Sequence, residues 1–162
     1  MQTLMDRNAG FTLVELMITI AIAAILATVA VPAFQNFVLN NRMTGNANDM
    51  IATLGYVRSE AVKRAADVTL CASDDGATCS GTWTDGWVVL DNAGNVLRAQ
   101  EALGGTTTLA GAGTIVFNAN GRMTTPAAAT TLALCPGKAG IQGRQIAIEP
   151  SGRGRVVSAA CP

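Results

Sequence analysis

Gly10-Phe11-Thr12-Leu13-Val14-Glu15-Leu16 opens an apolar run that continues to Val31 with only Thr12, Glu15, Thr19 and Thr28 as polar side chains. That run matches the ~20 residues an α-helix needs to cross the hydrocarbon of a bilayer. A helix satisfies its own backbone hydrogen bonds, so it can sit in lipid. The carboxylate near its start is the anomaly. An ionisable residue inside a spanning segment costs on the order of 2.5 kcal/mol or more, and it points to a functional site.

Three readings compete for this stretch. A cleaved secretory signal has an apolar region of only ~7–15 residues that ends in small residues; here the small residues Ala9 and Gly10 precede the run. A plain membrane anchor would leave Glu15 snorkelling toward the headgroups. The third reading is a processing signal. The string from Gly10 to Leu16, with Pro32 closing the apolar run, resembles the class III signal of type IV pilins and pseudopilins. The resemblance implies that a prepilin peptidase cuts between Gly10 and Phe11 and methylates the new amine of Phe11. It implies a single-pass helix in the bacterial inner membrane with its domain in the periplasm, later packed among other pilins in a filament or at its tip. Glu15 would then lie near the Phe11 amine of a neighbouring subunit. A buried carboxylate is costly alone and tolerable when paired, so such a pair sets register more than it adds stability. The leader Met1–Gly10 carries Arg7 but also Asp6, which makes it less basic than most such leaders.

The chain has 162 residues, enough for one spanning helix and one modest globular domain. Formal net charge is zero, so the whole-chain balance names no partner. With no His, the chain lacks the commonest general base and the commonest metal ligand. Cys71, Cys79, Cys135 and Cys161 allow three pairings, and sequence alone does not choose among them. Zinc sites use two close pairs such as Cys-x2-Cys, and none exists here. A domain delivered across the inner membrane sits where disulfides persist. We favour Cys71–Cys79 across the turn Asp74-Asp75-Gly76, and Cys135–Cys161 tying down the C-terminus.

Beyond Pro32, which removes a helical hydrogen bond, the residues Phe34, Phe37, Val38, Met50, Ile51, Leu54, Val57 and Ala61 recur at helical spacing. They predict an amphipathic continuation of the helix to about Ala66, with this stripe packed on a sheet. After Asp67 the pattern changes to short strands at Val68–Cys71, Gly86–Leu90, Asn95–Arg98, Thr114–Asn118, Thr131–Cys135, Gln145–Glu149 and Arg153–Ser158. Residues 104–113 read as a loop or weak strand, and 124–130 as a loop. The expected organisation is a leader over 1–10, a membrane or filament-core helix over 11–33, its amphipathic continuation over 34–66, and an antiparallel β domain over 67–162. A long N-terminal helix followed by runs of antiparallel strands defines an α+β, pilin-like fold.

The soluble half narrows the resemblance. Trp83-Thr-Asp-Gly86-Trp87-Val-Val-Leu-Asp91, Val96-Leu-Arg98, Phe117-Asn-Ala-Asn-Gly121, Leu134-Cys135 and Ile148-Glu-Pro-Ser-Gly152-Arg153 together resemble the GspH/FimT family of minor pseudopilins. Such proteins are minor tip components of type IV pili or type II secretion pseudopili.

No catalytic set emerges, and neither enzyme activity, a cofactor nor a metal is expected. Asp74-Asp75 reads as a solvated turn rather than a cation site. Of Trp83 and Trp87, the second is expected in the core while the first could be exposed for stacking. The C-terminal segment is more informative. From Gly137 to Pro162, Lys138, Arg144, Arg153 and Arg155 face one acid, Glu149. Arg153 and Arg155 would project from one face of a strand. If Gln145–Ile148 pairs antiparallel with Val156–Ala159, Arg144 comes near that face too. Gly152 and Gly154 would leave the backbone uncluttered between the guanidiniums. Arginine binds phosphate bidentately and stays charged, and phosphate contacts carry no sequence preference. Gly152-Arg153-Gly154-Arg155 also matches the Gly-Arg-x-Arg motif of the FimT branch. That resemblance implies non-specific DNA binding during natural transformation, carried by Arg153 and Arg155 with Arg144 and Lys138 assisting. The alternative is a structural minor pseudopilin of a type IV pilus or secretion pseudopilus tip without DNA binding, its basic hairpin merely solvated or paired with Glu149.

Overall fold

The computed structural model describes residues 10–161; the expected leader, apart from Gly10, lies outside them. One helix, α1 (Leu13–Arg64), precedes nine strands among the described residues. The backbone forms two compact units that divide between Val38 and Leu39.

The first unit contains the start of α1. Thr12 caps it: its carbonyl accepts from Leu16 N at 3.1 Å and its Oγ1 accepts from Glu15 N at 3.2 Å. A Thr at this position satisfies one of the helix's orphan donors. The hydroxyls of Thr19 and Thr28 donate to the carbonyls of Leu16 and Ile25. Both polar side chains are therefore satisfied within the helix, as lipid requires. Pro32 lies inside α1. By length and composition α1 is long and apolar enough to cross a membrane. Phe34, Phe37 and Val38, expected in a stripe on the sheet, are exposed members of this part of the helix. Apolar spacing alone does not separate a face covered by its own chain from one left open.

In the second unit α1 buries Met43, Ala47, Met50, Leu54, Val57 and Ala61, a three/four-residue spacing that forms one stripe. The helix ends at Arg64 with Ala65 in the left-handed region (φ 51°). Ala66 N donates to Ala61 O and Ala65 N to Val62 O. This Schellman arrangement satisfies carbonyls that a bare end would orphan.

The strands are β1 (Val68–Ala72), β2 (Trp87–Asp91), β3 (Val96–Gln100), β4 (Thr108–Gly111), β5 (Ile115–Phe117), β6 (Met123–Thr125), β7 (Thr130–Cys135), β8 (Gly143–Ile148) and β9 (Gly154–Ala159). They form a five-stranded sheet in the order β3-β2-β1-β5-β6 and a four-stranded sheet in the order β4-β7-β8-β9, every pair antiparallel. The weak strand suspected between 104 and 113 is β4. Residues 124 and 125, the start of the loop expected over 124–130, instead belong with Met123 to the edge strand β6 against β5. Three residues are too short to show a period in sequence; pairing with β5 makes them a strand.

One core joins the helical stripe to both sheets. It takes Val68, Leu70, Trp87, Val89, Ile115 and Phe117 from the first sheet and Leu109, Leu132, Leu134, Ile146 and Ile148 from the second. Burying a side chain of this size contributes roughly 1.5–3 kcal/mol, so this core is the main support of the unit. Trp87 is buried as expected and its Nε1 donates to Thr53 Oγ1 at 3.4 Å. Trp83 is buried too, with Nε1 donating to Ala112 O, so it offers no stacking surface. The fold is the expected α+β arrangement: a long N-terminal helix packed on antiparallel sheets.

Candidate functional site

The turn joining β8 to β9 is closed by two hydrogen bonds. Gly152 N donates to Glu149 O at 2.8 Å, and Glu149 N to Arg153 O at 2.9 Å. Gly152 has φ +82°, and a Cβ there would lie 2.7 Å from Phe117 Cε1 and 2.8 Å from Gly121 O. Only glycine meets both conditions. A second turn, Asn118 to Arg122 between β5 and β6, abuts the first. Asn118 Oδ1 accepts from Asn120 N and Arg122 N, and Gly121 has φ +69°. Met123 N donates to Pro150 O at 3.0 Å, which ties the two turns, and so the ends of the two sheets, together.

Arg153 leaves the first turn and Arg155 follows on β9, both exposed. Arg155 pairs with Ala147, on the face away from Ile146 and Ile148. Among the described residues the ion pairs join Glu60 to Lys63 and Arg64, and Arg64 to Asp91; neither Arg153 nor Arg155 belongs to one of them. Glu149 lies opposite Arg153 and is half-buried, yet makes no ion pair with it. Gly154 has a different reason from the expected one: its Cβ would meet Ile51 Cδ1 at 2.8 Å and Leu54 Cδ1 at 3.1 Å, so glycine there admits the helix rather than clearing the guanidiniums.

Arg144 and Lys138 do not join this site. The hairpin register is offset from the one expected, with Gln145 opposite Val157 and Ile148 opposite Gly154. Arg144 pairs with Ser158 and alternates onto the face of Ile146, opposite to that of Arg155. Its Nη1 donates to Gln142 O and Gly143 O at 3.3 Å each. Lys138 lies between β7 and β8 beside Cys161, at the far end of β8 from the Arg153 turn. Sequence reading passed over two other arginines. Exposed Arg122 ends the second turn, and the side chain of exposed Arg58 on α1 lies across both glycines. Its Cδ would be 3.2 Å from a Cβ on Gly152, and its Nε 3.1 Å from one on Gly121. The Gly121-Arg122 dipeptide repeats the pattern of Gly152-Arg153 and was the available signal; Arg58 had none, because only the tertiary fold brings it there.

Cys71 bonds Cys79 and Cys135 bonds Cys161, with sequence separations of 8 and 26. Inside the first loop Asp75 accepts from Ala77 N, Thr78 N, Thr78 Oγ1 and Ser73 Oγ. Backbone donors at Thr78 and Ala77, then the two hydroxyls, hold its carboxyl well below the usual carboxylate range. Asp75 is thus the keystone of a turn. Its neighbours Asp74, Asp85 and Glu101 line a cleft at the opposite end of β1 from the arginines. In the first unit Gly10 and Phe11 precede α1 exposed, and Glu15 is exposed in its first turn.

A helix with an open apolar start, continued into a stripe that closes over two antiparallel sheets, defines a pilin-like protein. The family described as "Type II transport protein GspH" matches residues 46–152, and the "Prokaryotic N-terminal methylation motif" matches residues 5–31. The chain belongs to the GspH family and carries that N-terminal motif. Fimbrial protein Q of Moraxella bovis is 32% identical over 68% of each chain. Prepilin peptidase-dependent protein D of Escherichia coli K12 is 39% identical over 48% of this chain, which spans 47% of that protein's length. Among solved structures, the type IV minor pilin FimU of Pseudomonas aeruginosa superposes with a TM-score of 0.61 at 26% identity, covering 75% of this chain and 92% of its own. The minor pseudopilin EpsH from the type 2 secretion system of Vibrio cholerae superposes at 0.54 and 14% identity, over 72% and 97%, and shares the fold.

Proposed function

We propose that this protein is a minor type IV pilin that holds duplex DNA without sequence preference through Arg153 and Arg155 during natural transformation. The observation that carries the reading is the pair itself: two exposed arginines two residues apart, one leaving the turn and one on β9, neither in an ion pair among the described residues. Adjacent positions on one strand face lie about 6.6 Å apart, and duplex DNA presents a phosphate every ~3.4 Å along each strand, so the pair can engage one backbone. The minor-pilin part of the reading is supported by the family match, the N-terminal motif and the likeness to FimU. In this reading prepilin peptidase cuts after Gly10 and methylates Phe11, the apolar helix waits in the inner membrane with the β domain in the periplasm, and Glu15 meets the Phe11 amine of another pilin during assembly. The mass and N-terminus of the mature chain check the cut; an uncut chain in cells that process other pilins would exclude it.

The test of DNA binding is a titration of the detergent-solubilised chain with a short duplex at two salt concentrations, beside an Arg153→Ala/Arg155→Ala variant. The wild type binds more weakly as salt rises, and the variant loses most of its affinity while its thermal unfolding is unchanged. A wild type that fails to bind at low salt excludes the DNA reading and leaves a structural minor pseudopilin of a pilus or secretion system.

A further inference from the structure

We infer that Arg58 and Arg122 belong to the same phosphate-binding surface as Arg153 and Arg155, and that this four-arginine corner takes double-stranded nucleic acid in preference to single strands. The inference rests on the reading of the Arg153 turn as a DNA contact. Three elements distant in sequence supply the four charges: α1, the β5–β6 turn and the β8–β9 turn. They converge because Gly121 and Gly152 pack against each other, with Gly121 O 2.8 Å from a Cβ placed on Gly152. The aliphatic part of Arg58 covers both glycines, which holds its guanidinium at the junction of the two turns rather than free in solvent. All four arginines are exposed, and none belongs to an ion pair among the described residues. Acids on or next to the same elements include Glu149, opposite Arg153, Asp67, which precedes Val68 opposite Phe117, and Glu60 on α1, which pairs with Lys63 and Arg64.

Aromatic residues decide the kind of strand. Single-strand binders combine a basic groove with rings on which bases stack. In the second unit Trp83, Trp87 and Phe117 are buried, and the half-buried Tyr56 ring lies under Arg98 with its hydroxyl donating to Leu97 O. None of these rings is presented beside the arginines. A surface of guanidiniums without stacking rings reads backbone charge, which is densest on a duplex.

The test titrates the detergent-solubilised full chain with a short duplex between 50 and 200 mM salt. It compares the wild type with Arg58→Gln/Arg122→Gln, Arg153→Ala/Arg155→Ala and Arg58→Lys/Arg122→Lys. Gln keeps the aliphatic stem over the glycines and removes the charge; Lys restores the charge. Four contacts give a slope of log affinity on log salt of about −3.6, a loss of roughly 150-fold over that range. Two contacts give about −1.8 and roughly 12-fold. The Gln variant is expected near the smaller slope with unchanged thermal unfolding, the Lys variant near the larger, and a single strand of the same length binds more weakly than the duplex. A Gln variant with the wild-type slope, beside an Arg153/Arg155 variant that loses binding, overturns the four-arginine surface and leaves the DNA reading standing. A wild type that does not bind removes both. Binding of the single strand as tight as that of the duplex, or tighter, overturns the duplex assignment.

Discussion

Gly152 and Gly154 show how one residue type serves two purposes two residues apart. At Gly152 the backbone is left-handed and a side chain would strike Phe117 and Gly121; at Gly154 a side chain would strike Ile51 and Leu54. The sequence pattern Gly-Arg-Gly-Arg was legible, but the reason for its glycines was not, because both clashes come from residues far away in the chain. Asp75 makes a prediction at this scale. Its folded carboxyl titrates well below the usual range because Thr78 and Ala77 amides donate to it. The unfolded chain therefore binds more protons than the folded one below about pH 4, so the stabilisation is present above the unfolded pKa and is lost as pH falls. Asp85 and Asp91 shift the same way, through Thr82 and Asn95 respectively. Denaturant unfolding of the wild type loses stability on acidification below about pH 4; Asp75→Asn is less stable near neutral pH and shows a shallower decline. Equal acid dependence in the two chains would mean that the Asp75 hydrogen bonds do not persist in solution.

The elements were mostly readable because their periods are long enough to repeat. The apolar run marked the first part of the helix, which the structure shows capped by Thr12, and the half of the stripe from Met50 to Ala61 followed from helical spacing. Phe34 and Phe37 share that spacing and yet are exposed, since periodicity does not reveal where the covering sheet begins. Arg144 was placed on the wrong side of its strand. A pleat alternates every residue, so the face depends on parity within the register, with Arg144 opposite Ser158. The two disulfides act at element scale. Cys135–Cys161 fastens the segment after β9 to the end of β7 and closes the longer loop, 26 residues against 8. In the chain-entropy view the longer loop contributes about 3.5 kcal/mol and the shorter about 2.5 kcal/mol. Replacing Cys135 and Cys161 by Ala therefore lowers Tm by on the order of 10 °C and destabilises more than the same change at Cys71 and Cys79. Scanning calorimetry of the two double variants checks the order; a larger loss at Cys71–Cys79 would contradict it.

Across the whole molecule, charge is segregated although the net is zero. Asp74, Asp75, Asp85 and Glu101 gather beyond one end of β1, while Arg58, Arg122 and Arg153 surround the turns at the other, with Arg155 next along β9. Part of this polarity is visible in the sequence, where five acids and no base run from Asp67 to Asp91 and five bases stand against Glu149 from Arg122 to Arg155; only the fold brings Arg58 to the basic turns and sets the acidic cleft at the opposite end of β1. This polarity favours approach of a polyanion by one end only, because like charge at the other end repels it. The most direct measurement locates the contact: amide chemical shifts of the isotope-labelled chain in non-ionic micelles, recorded with a short DNA duplex added. The binding reading predicts shifts confined to residues 118–123 and 149–156 and to the α1 amides around Arg58, with residues 73–85 unmoved. Shifts centred on Lys138 and Arg144, or the absence of any, would contradict it.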